Sequence, residues 1–116
     1  MISAERGMDM SNEIASEWLR NKGFSITDID FIESVLTFTS TAKALNNKLD
    51  EINQTFQISF PDKKAEIVPN LTFQQFEEIL HNNGLFVDLN DMLTRYKVQG
   101  VCVNLCNQLL ESQLDK

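Results

Sequence analysis

The residues of this chain best suited to chemistry are its two cysteines and its single histidine. Cys102 and Cys106 are four residues apart. On a helix they would share one face, where parallel side chains do not suit disulfide geometry. A metal site needs more ligands than two thiolates, and nothing in the sequence brings His81 beside them. We therefore interpret both cysteines as buried small apolar residues in a reducing compartment, and predict no metal and no cofactor.

Other catalytic patterns are also absent from the sequence. The adjacent carboxylates Glu77 and Glu78 would point to different sides of a helix, which is typical of a solvated face. No serine or cysteine lies in a recognisable nucleophile elbow, and the glycines are too isolated for a phosphate-binding loop. These patterns favour a protein that is not an enzyme.

The charge and hydropathy of the chain exclude further classes. Its 116 residues carry a net charge of −7, and this negative field disfavours nucleic acid as a partner. No apolar run approaches the roughly 20 residues that cross a bilayer, so we predict no membrane insertion. Residues 1–10 lack the apolar core of a signal peptide. We interpret them as a flexible leader before a single helical domain over 11–116, in a cytoplasmic protein.

One apolar stripe organises the rest of the chain. Its members are Phe31, Val35, Phe38, Ala42, Leu45, Leu49, Ile52 and Phe56. Their alternating spacings of four and three predict one long helix over about 27–56, capped by Ser25 or Thr27. Leu45 lies at the centre of the stripe, and we expect it in the core. The threonine-rich stretch 37–41 is the weak point, where a kink or break is the alternative.

Two shorter helices have clear start or stop signals. A helix over 11–21 would end at Gly23, which an apolar residue follows. Thr72 begins a capping-box pattern, which predicts a helix over 72–81 that ends at Gly84. Both helices carry apolar faces that can pack along the long helix.

The remaining segments leave alternatives open. Alternating apolar residues over 56–68 predict a short β-hairpin, with an irregular loop as the alternative. A last helical region would begin at Asp88 or Asn90 and run towards Gln113. Within it, Gly100 marks close helix contact, a bend or a break between two helices. The predicted fold class is therefore mainly α, a small helical bundle organised on one long helix.

A second apolar face on the long helix is our candidate for partner binding. Ile29, Ile32 and Leu36 lie beside the main stripe. Either the helix that carries Trp18 covers them, or they remain open for another protein. With eight phenylalanines in so small a chain, we predict an adaptor, inhibitor or dedicated chaperone that docks a partner through apolar helix faces. A homodimer is also open, although the flanks of the stripe lack the charges of a coiled coil.

Two alternative functions involve nucleic acid. The stretch 41–46 followed by Ile52 is loosely spaced like a helix-turn-helix, in which Asn53, Gln54 and Gln57 would read bases. The simpler interpretation is the middle of one continuous helix. The second alternative is an acidic inhibitor of a nucleic-acid-binding protein, for which the net negative charge is the support.

Overall fold

The computed structural model describes residues 14–113. The predicted leader over 1–10 and the predicted start of the first helix at Ser11 lie outside the described residues. Six α-helices and one short 3₁₀-helix follow one another along the described part of the chain. They are α1 (Ala15–Asn21), α2 (Ile26–Ala44), the 3₁₀-helix (Asn46–Lys48), α3 (Leu49–Ser59), α4 (Phe73–Asn82), α5 (Leu89–Gln99) and α6 (Val103–Ser112). The prediction of a mainly α fold, a small helical bundle, is confirmed.

Three of these helices begin at residues that the sequence marks as caps. Ser25 and Asp28 form a capping box at the start of α2, and Thr72 and Gln75 form another at the start of α4. Asp88 caps α5 through its side chain. Each cap satisfies backbone N–H groups that have no partner within the helix.

Glycines end the helices where the sequence predicts it. Gly23 follows the end of α1 and Gly84 follows the end of α4. Gly100 lies between α5 and α6. Of the alternatives considered for this glycine, the structure shows the break between two helices. Its φ of 86° is left-handed, and the next residue, Val101, donates its N–H to the Tyr96 carbonyl at 3.0 Å. This bonding closes the end of α5, and only glycine adopts such a conformation without strain.

Helix α2 is the central element of the bundle. Helices α1 and α3 pack against it, α1 also contacts α5, and α6 packs against α5 and α4. Seven of its 19 residues are buried: Ile29, Phe31, Ile32, Val35, Leu36, Thr39 and Ala42. These residues occupy more than one narrow stripe of the helix surface, because α1 and α3 both pack against α2. The core that they join is one continuous cluster.

The predicted helix over 27–56 is divided in two, and this corrects the sequence prediction. Helix α2 ends at Ala44, and the backbone of Leu45 leaves the helical region with φ −129° and ψ 58°. A continuous helix would hold Phe38 and Phe56 about 27 Å apart. In the fold their ring centroids are 5.3 Å apart, because α3 turns back along α2. The asparagines at 46 and 47 are weak helix formers, so breaking the helix there costs little.

The threonine-rich stretch 37–41 remains helical. The Thr37 hydroxyl donates to the Glu33 carbonyl at 3.0 Å, and the Thr41 hydroxyl donates to the Thr37 carbonyl at the same distance. These bonds satisfy the hydroxyls without interrupting the helix. The alternative of a break at 37–41 is therefore wrong, and the chain breaks one turn later.

The predicted β-hairpin over 56–68 is also wrong. Helix α3 continues to Ser59, and 60–72 is irregular. Phe56 and Phe60 both reach Phe31, with ring centroids 5.7 and 5.6 Å away. Two residues four apart meet one ring when they share a helix face, and these contacts outweigh the alternating pattern.

Two asparagine side chains hold the loop that follows α3. The Asn53 amide accepts from the Ile67 N–H at 2.7 Å and donates to the Ile67 carbonyl at 3.0 Å. The Asn83 amide binds the N–H and carbonyl of Lys64 in the same way, both at 2.8 Å. These amides supply the bonds that a neighbouring strand would supply. The loop is therefore ordered against the helices without a sheet.

Candidate functional site

An open groove runs along the seam between α2 and α3. It consists of two adjacent concavities along this seam, whose linings share Thr37 and Phe38. The concavity nearer the 3₁₀-helix has a volume of about 300 Å³. We call the whole channel the α2–α3 groove. Residues along its α2 side run from Asp30 to Leu45.

The groove exists because α2 and α3 form an antiparallel helical hairpin. Phe38 packs on Phe56, and Phe31 packs on Phe60, so the two helices run in opposite directions. The aromatic rings hold the hairpin together on the core side. On the outer side no residue of the described chain fills the space between the helices, and Leu45 stays 48% exposed at the turn.

The half of the groove near the turn is apolar. Phe38, Leu45 and Ile52 line it. The hydroxyls of Thr37 and Thr41 are already bonded to helix carbonyls, so an apolar ligand would not leave them unpaired. A 3.9 Å ion pair between Lys48 and Glu51 lies at this rim, and both its side chains are mostly exposed. Such a pair contributes little energy and can rearrange.

The other half of the groove is acidic. Its lining includes Asp30 and Glu33 but no basic residue of the described chain. The Tyr96 hydroxyl, which is buried, donates to the Glu33 carboxylate at 2.9 Å and fixes its position. Burial first, and the negative charge of Glu33 second, raise the pKa of Tyr96 far above its ordinary value. The phenol therefore remains a neutral donor that holds the carboxylate at the groove.

The three residues predicted to bind a partner are in the core. Ile29 is 5% exposed, and Ile32 and Leu36 are fully buried. Helix α1, which carries Trp18, packs against α2. This arrangement matches the alternative interpretation, in which the Trp18 helix covers the second apolar face. In this structure the second apolar face is thus not open to another protein.

Leu45 shows the opposite outcome. It was expected in the core, and it lies at the exposed end of the groove. The signal that sequence reasoning missed is the pair of asparagines that follows it. They favour a turn, and a residue at a turn is rarely enclosed.

The region considered as a helix-turn-helix does contain a turn. The 3₁₀-helix separates α2 from α3, so the interpretation as one continuous helix does not hold. The candidate base-reading residues are divided, however. Asn53 is half-buried, with its amide bonded to Ile67, whereas Gln54 and Gln57 are exposed on α3.

The cysteines and the histidine lie away from the groove. Cys106 is buried, and its thiol donates to the Val101 carbonyl at 3.5 Å. Burial first, and the neighbouring Cys102 second, raise the pKa of Cys106 to about 11, so the thiol is protonated near neutral pH. His81 stacks on the exposed ring of Phe86 at 4.9 Å. Within residues 14–113 no three potential ligands are grouped to hold a metal ion.

The α2–α3 groove thus combines an apolar half and an acidic half along one seam of the fold. None of the helices described here is both long enough and apolar enough to span a bilayer. Comparisons of the chain with protein-family models, with curated proteins and with solved structures found no match.

Proposed function

We propose that this chain is a non-enzymatic protein-interaction protein of the cytoplasm, an adaptor, inhibitor or dedicated chaperone, that holds a helical segment of another protein in the α2–α3 groove. The observation that carries the proposal is the apolar surface of Phe38, Leu45 and Ile52 inside an open channel. From Asp30 to Leu45 the channel follows α2 for about 22 Å, roughly four helical turns. That length suits the recognition of a helix in a groove.

Burial of Leu45 supplies a driving force for binding. Its side chain is 48% exposed in the free protein. Removing apolar surface from water stabilises a complex by about 25 cal/mol per Å². Phe38 and Ile52 are already partly covered, so they provide a shaped floor and need little rearrangement. A preformed floor lowers the entropy cost of binding.

The two nucleic-acid alternatives have less support. A DNA-reading role needs free side chains on α3, but the amide of Asn53 is committed to the loop at Ile67. The acidic residues Asp50 and Glu51 in the first turn of α3 would oppose phosphate. An acidic inhibitor would depend on charge alone and would not need the apolar half of the groove.

The test compares matched variants in affinity purification from the native host. Leu45→Glu places a charge in the groove, whereas Ile58→Glu places the same charge on α3 outside it. Ile58 is 78% exposed and does not line the channel. We expect the parent and Ile58→Glu to capture the same protein in stoichiometric amount, and Leu45→Glu to lose it while its circular dichroism is unchanged.

Equal capture by all three proteins would contradict the groove as the binding site. The regulator alternative makes a different prediction, which involves the exposed Gln54 and Gln57. If it is correct, Gln54→Ala with Gln57→Ala weakens a salt-sensitive DNA complex, and Leu45→Glu leaves that complex intact. The same purified proteins serve both measurements.

A further inference from the structure

We propose that the partner segment is an amphipathic helix with a basic end. Its apolar side chains lie on Phe38, Leu45 and Ile52, and its lysine or arginine side chains reach Asp30 and Glu33 at the other end of the α2–α3 groove. This inference rests on the proposed function and adds the chemistry and orientation of the partner.

The acidic half of the groove has no cation in its lining to balance its carboxylates. Its seven lining residues include two carboxylates and no cation. Lys63, on the loop beyond α3, is already paired with Asp28, with 2.9 Å between its Nζ and the carboxylate. Asp30 is exposed and faces this space without a basic residue in the lining. A ligand that brings positive charge to this end gains attraction, and one that brings negative charge is repelled.

The geometry sets the spacing of charge and apolar surface in the partner. Phe38 is five residues from Glu33 and eight from Asp30 along α2. These separations correspond to about 7 and 12 Å of helix. A partner helix lying along the channel therefore places its basic residues one to two turns beyond its last apolar anchor. Near the turn, Lys48 and Glu51 cancel each other, so no net charge is required there.

A second copy of this chain fits the groove less well. A two-fold pairing of identical grooves would lay the acidic end of one copy on the apolar end of the other. Asp30 and Glu33 would then lose water against Leu45, and the cation at that end, Lys48, already pairs with Glu51, so the contact is unfavourable. Each copy also carries a net charge of −7, so the copies repel each other.

The test is a selection from a displayed library of helical peptides of about 15 residues, a length that matches the groove. Parent protein is the bait, and Leu45→Glu and the pair Asp30→Asn with Glu33→Gln are comparison baits. Both neutral substitutions preserve size, and Glu33→Gln keeps a side-chain oxygen that can accept from the Tyr96 hydroxyl. The best selected peptide is then titrated against all three proteins at low and high salt.

We expect the selected peptides to combine an apolar stripe with lysine or arginine at one end. The neutral double variant should bind the best peptide about 3- to 10-fold more weakly, and high salt should remove that difference. Leu45→Glu should abolish binding at either salt concentration.

The contrary outcomes separate this inference from the proposed function. The charge inference alone would be overturned if the selected peptides lose binding to Leu45→Glu but carry no basic end. It would also be overturned if they bind the neutral double variant as tightly as the parent protein. If no selected peptide depends on Leu45, the groove function itself fails. A concentration-dependent dimer in sedimentation, abolished by Leu45→Glu, would identify a second copy as the occupant and overturn the basic partner.

Discussion

The two faces of α2 carry similar apolar residues but have different environments. The face with Ile29, Ile32 and Leu36 is closed and belongs to the core. The face with Phe38, together with Leu45 just beyond the end of α2, is only partly covered by α3 and opens into the groove. The spacing of apolar residues indicates which side chains pack against a neighbouring helix. It does not indicate whether that helix covers them fully. The closed face contributes to stability, and the open face leaves apolar surface exposed to solvent.

The difference follows from how each neighbouring helix is attached. Helix α1 contributes three buried residues, Ala15, Trp18 and Leu19, and contacts both α2 and α5. Helix α3 contributes one fully enclosed residue, Phe56. It is joined to α2 by a turn at one end and by aromatic contacts along the core side. Space thus remains on its outer side.

The largest expected effect comes from a charge on the closed face. Ile32→Glu should destabilise the fold by more than about 3 kcal/mol or prevent folding, because it buries a carboxylate without a partner. Leu45→Glu should change stability by less than about 1 kcal/mol, since water can solvate the new charge. Chemical denaturation followed by circular dichroism measures both values.

The comparison can also be made with variants that fold. Ile32→Ala should cost about 2–5 kcal/mol, and Leu45→Ala less than about 1 kcal/mol. Similar losses at the two positions would contradict the distinction between a closed and an open face.

A smaller effect is expected at Thr39, the polar residue on the buried part of α2. Its side chain is fully buried, and its hydroxyl oxygen has no hydrogen-bond partner among the described residues. Thr39→Val replaces the hydroxyl with a methyl group of similar size, so it should stabilise the fold by about 1 kcal/mol. The midpoint of urea denaturation reports this gain. Unchanged or reduced stability would show that the hydroxyl is satisfied in solution.

The smallest effect concerns Asp28 at the start of α2. Burial acts to raise its pKa, but the bond from Lys63 and those from Ser25 outweigh it and hold the pKa below its ordinary value. A lowered pKa stabilises the folded state above the unfolded value, and this contribution is lost as the pH falls through the folded value. Asp28→Asn, which still accepts the Ser25 N–H, should therefore flatten the stability profile below about pH 4.

The control for this prediction removes the partner cation. Lys63→Met should move the pKa of Asp28 upward, which two-dimensional NMR titration of the carboxyl group measures. Each change should alter stability at neutral pH by no more than about 1 kcal/mol, because the pair is partly exposed. A pKa of Asp28 that does not respond to Lys63→Met would remove the ion pair as its cause.

Local signals in the sequence predicted much of this fold. The caps at Ser25 and Thr72 and the stops at Gly23 and Gly84 depend on a few neighbouring residues, so they can be predicted without tertiary contacts. The break at Leu45 has only a weak local signal, the asparagines at 46 and 47, because the helical stripe continues through it. Its cause is the long-range packing of α3 on α2, which overrides the local pattern.

The candidate site also depends on the packing of α3 on α2. Leu45 becomes exposed only because the chain reverses after it, and Asp30 joins the groove only because α3 returns along α2. The predicted hairpin failed for a related reason. The alternation at 56–60 competes with a four-residue spacing between Phe56 and Phe60, and only the position of Phe31 decides between them.

The anchoring of Asn83 has a consequence for the chemical ageing of the protein. An asparagine followed by glycine readily loses its amide as ammonia, when the glycine nitrogen attacks the side-chain carbonyl carbon. Here the Asn83 amide is held by Lys64 and by the Ile79 carbonyl, and the Gly84 N–H is bonded to the His81 carbonyl at 3.0 Å. Both reacting groups are therefore restrained in the folded chain. Deamidation at this position should mark molecules that have spent time unfolded, and its extent would record the folding history of a sample.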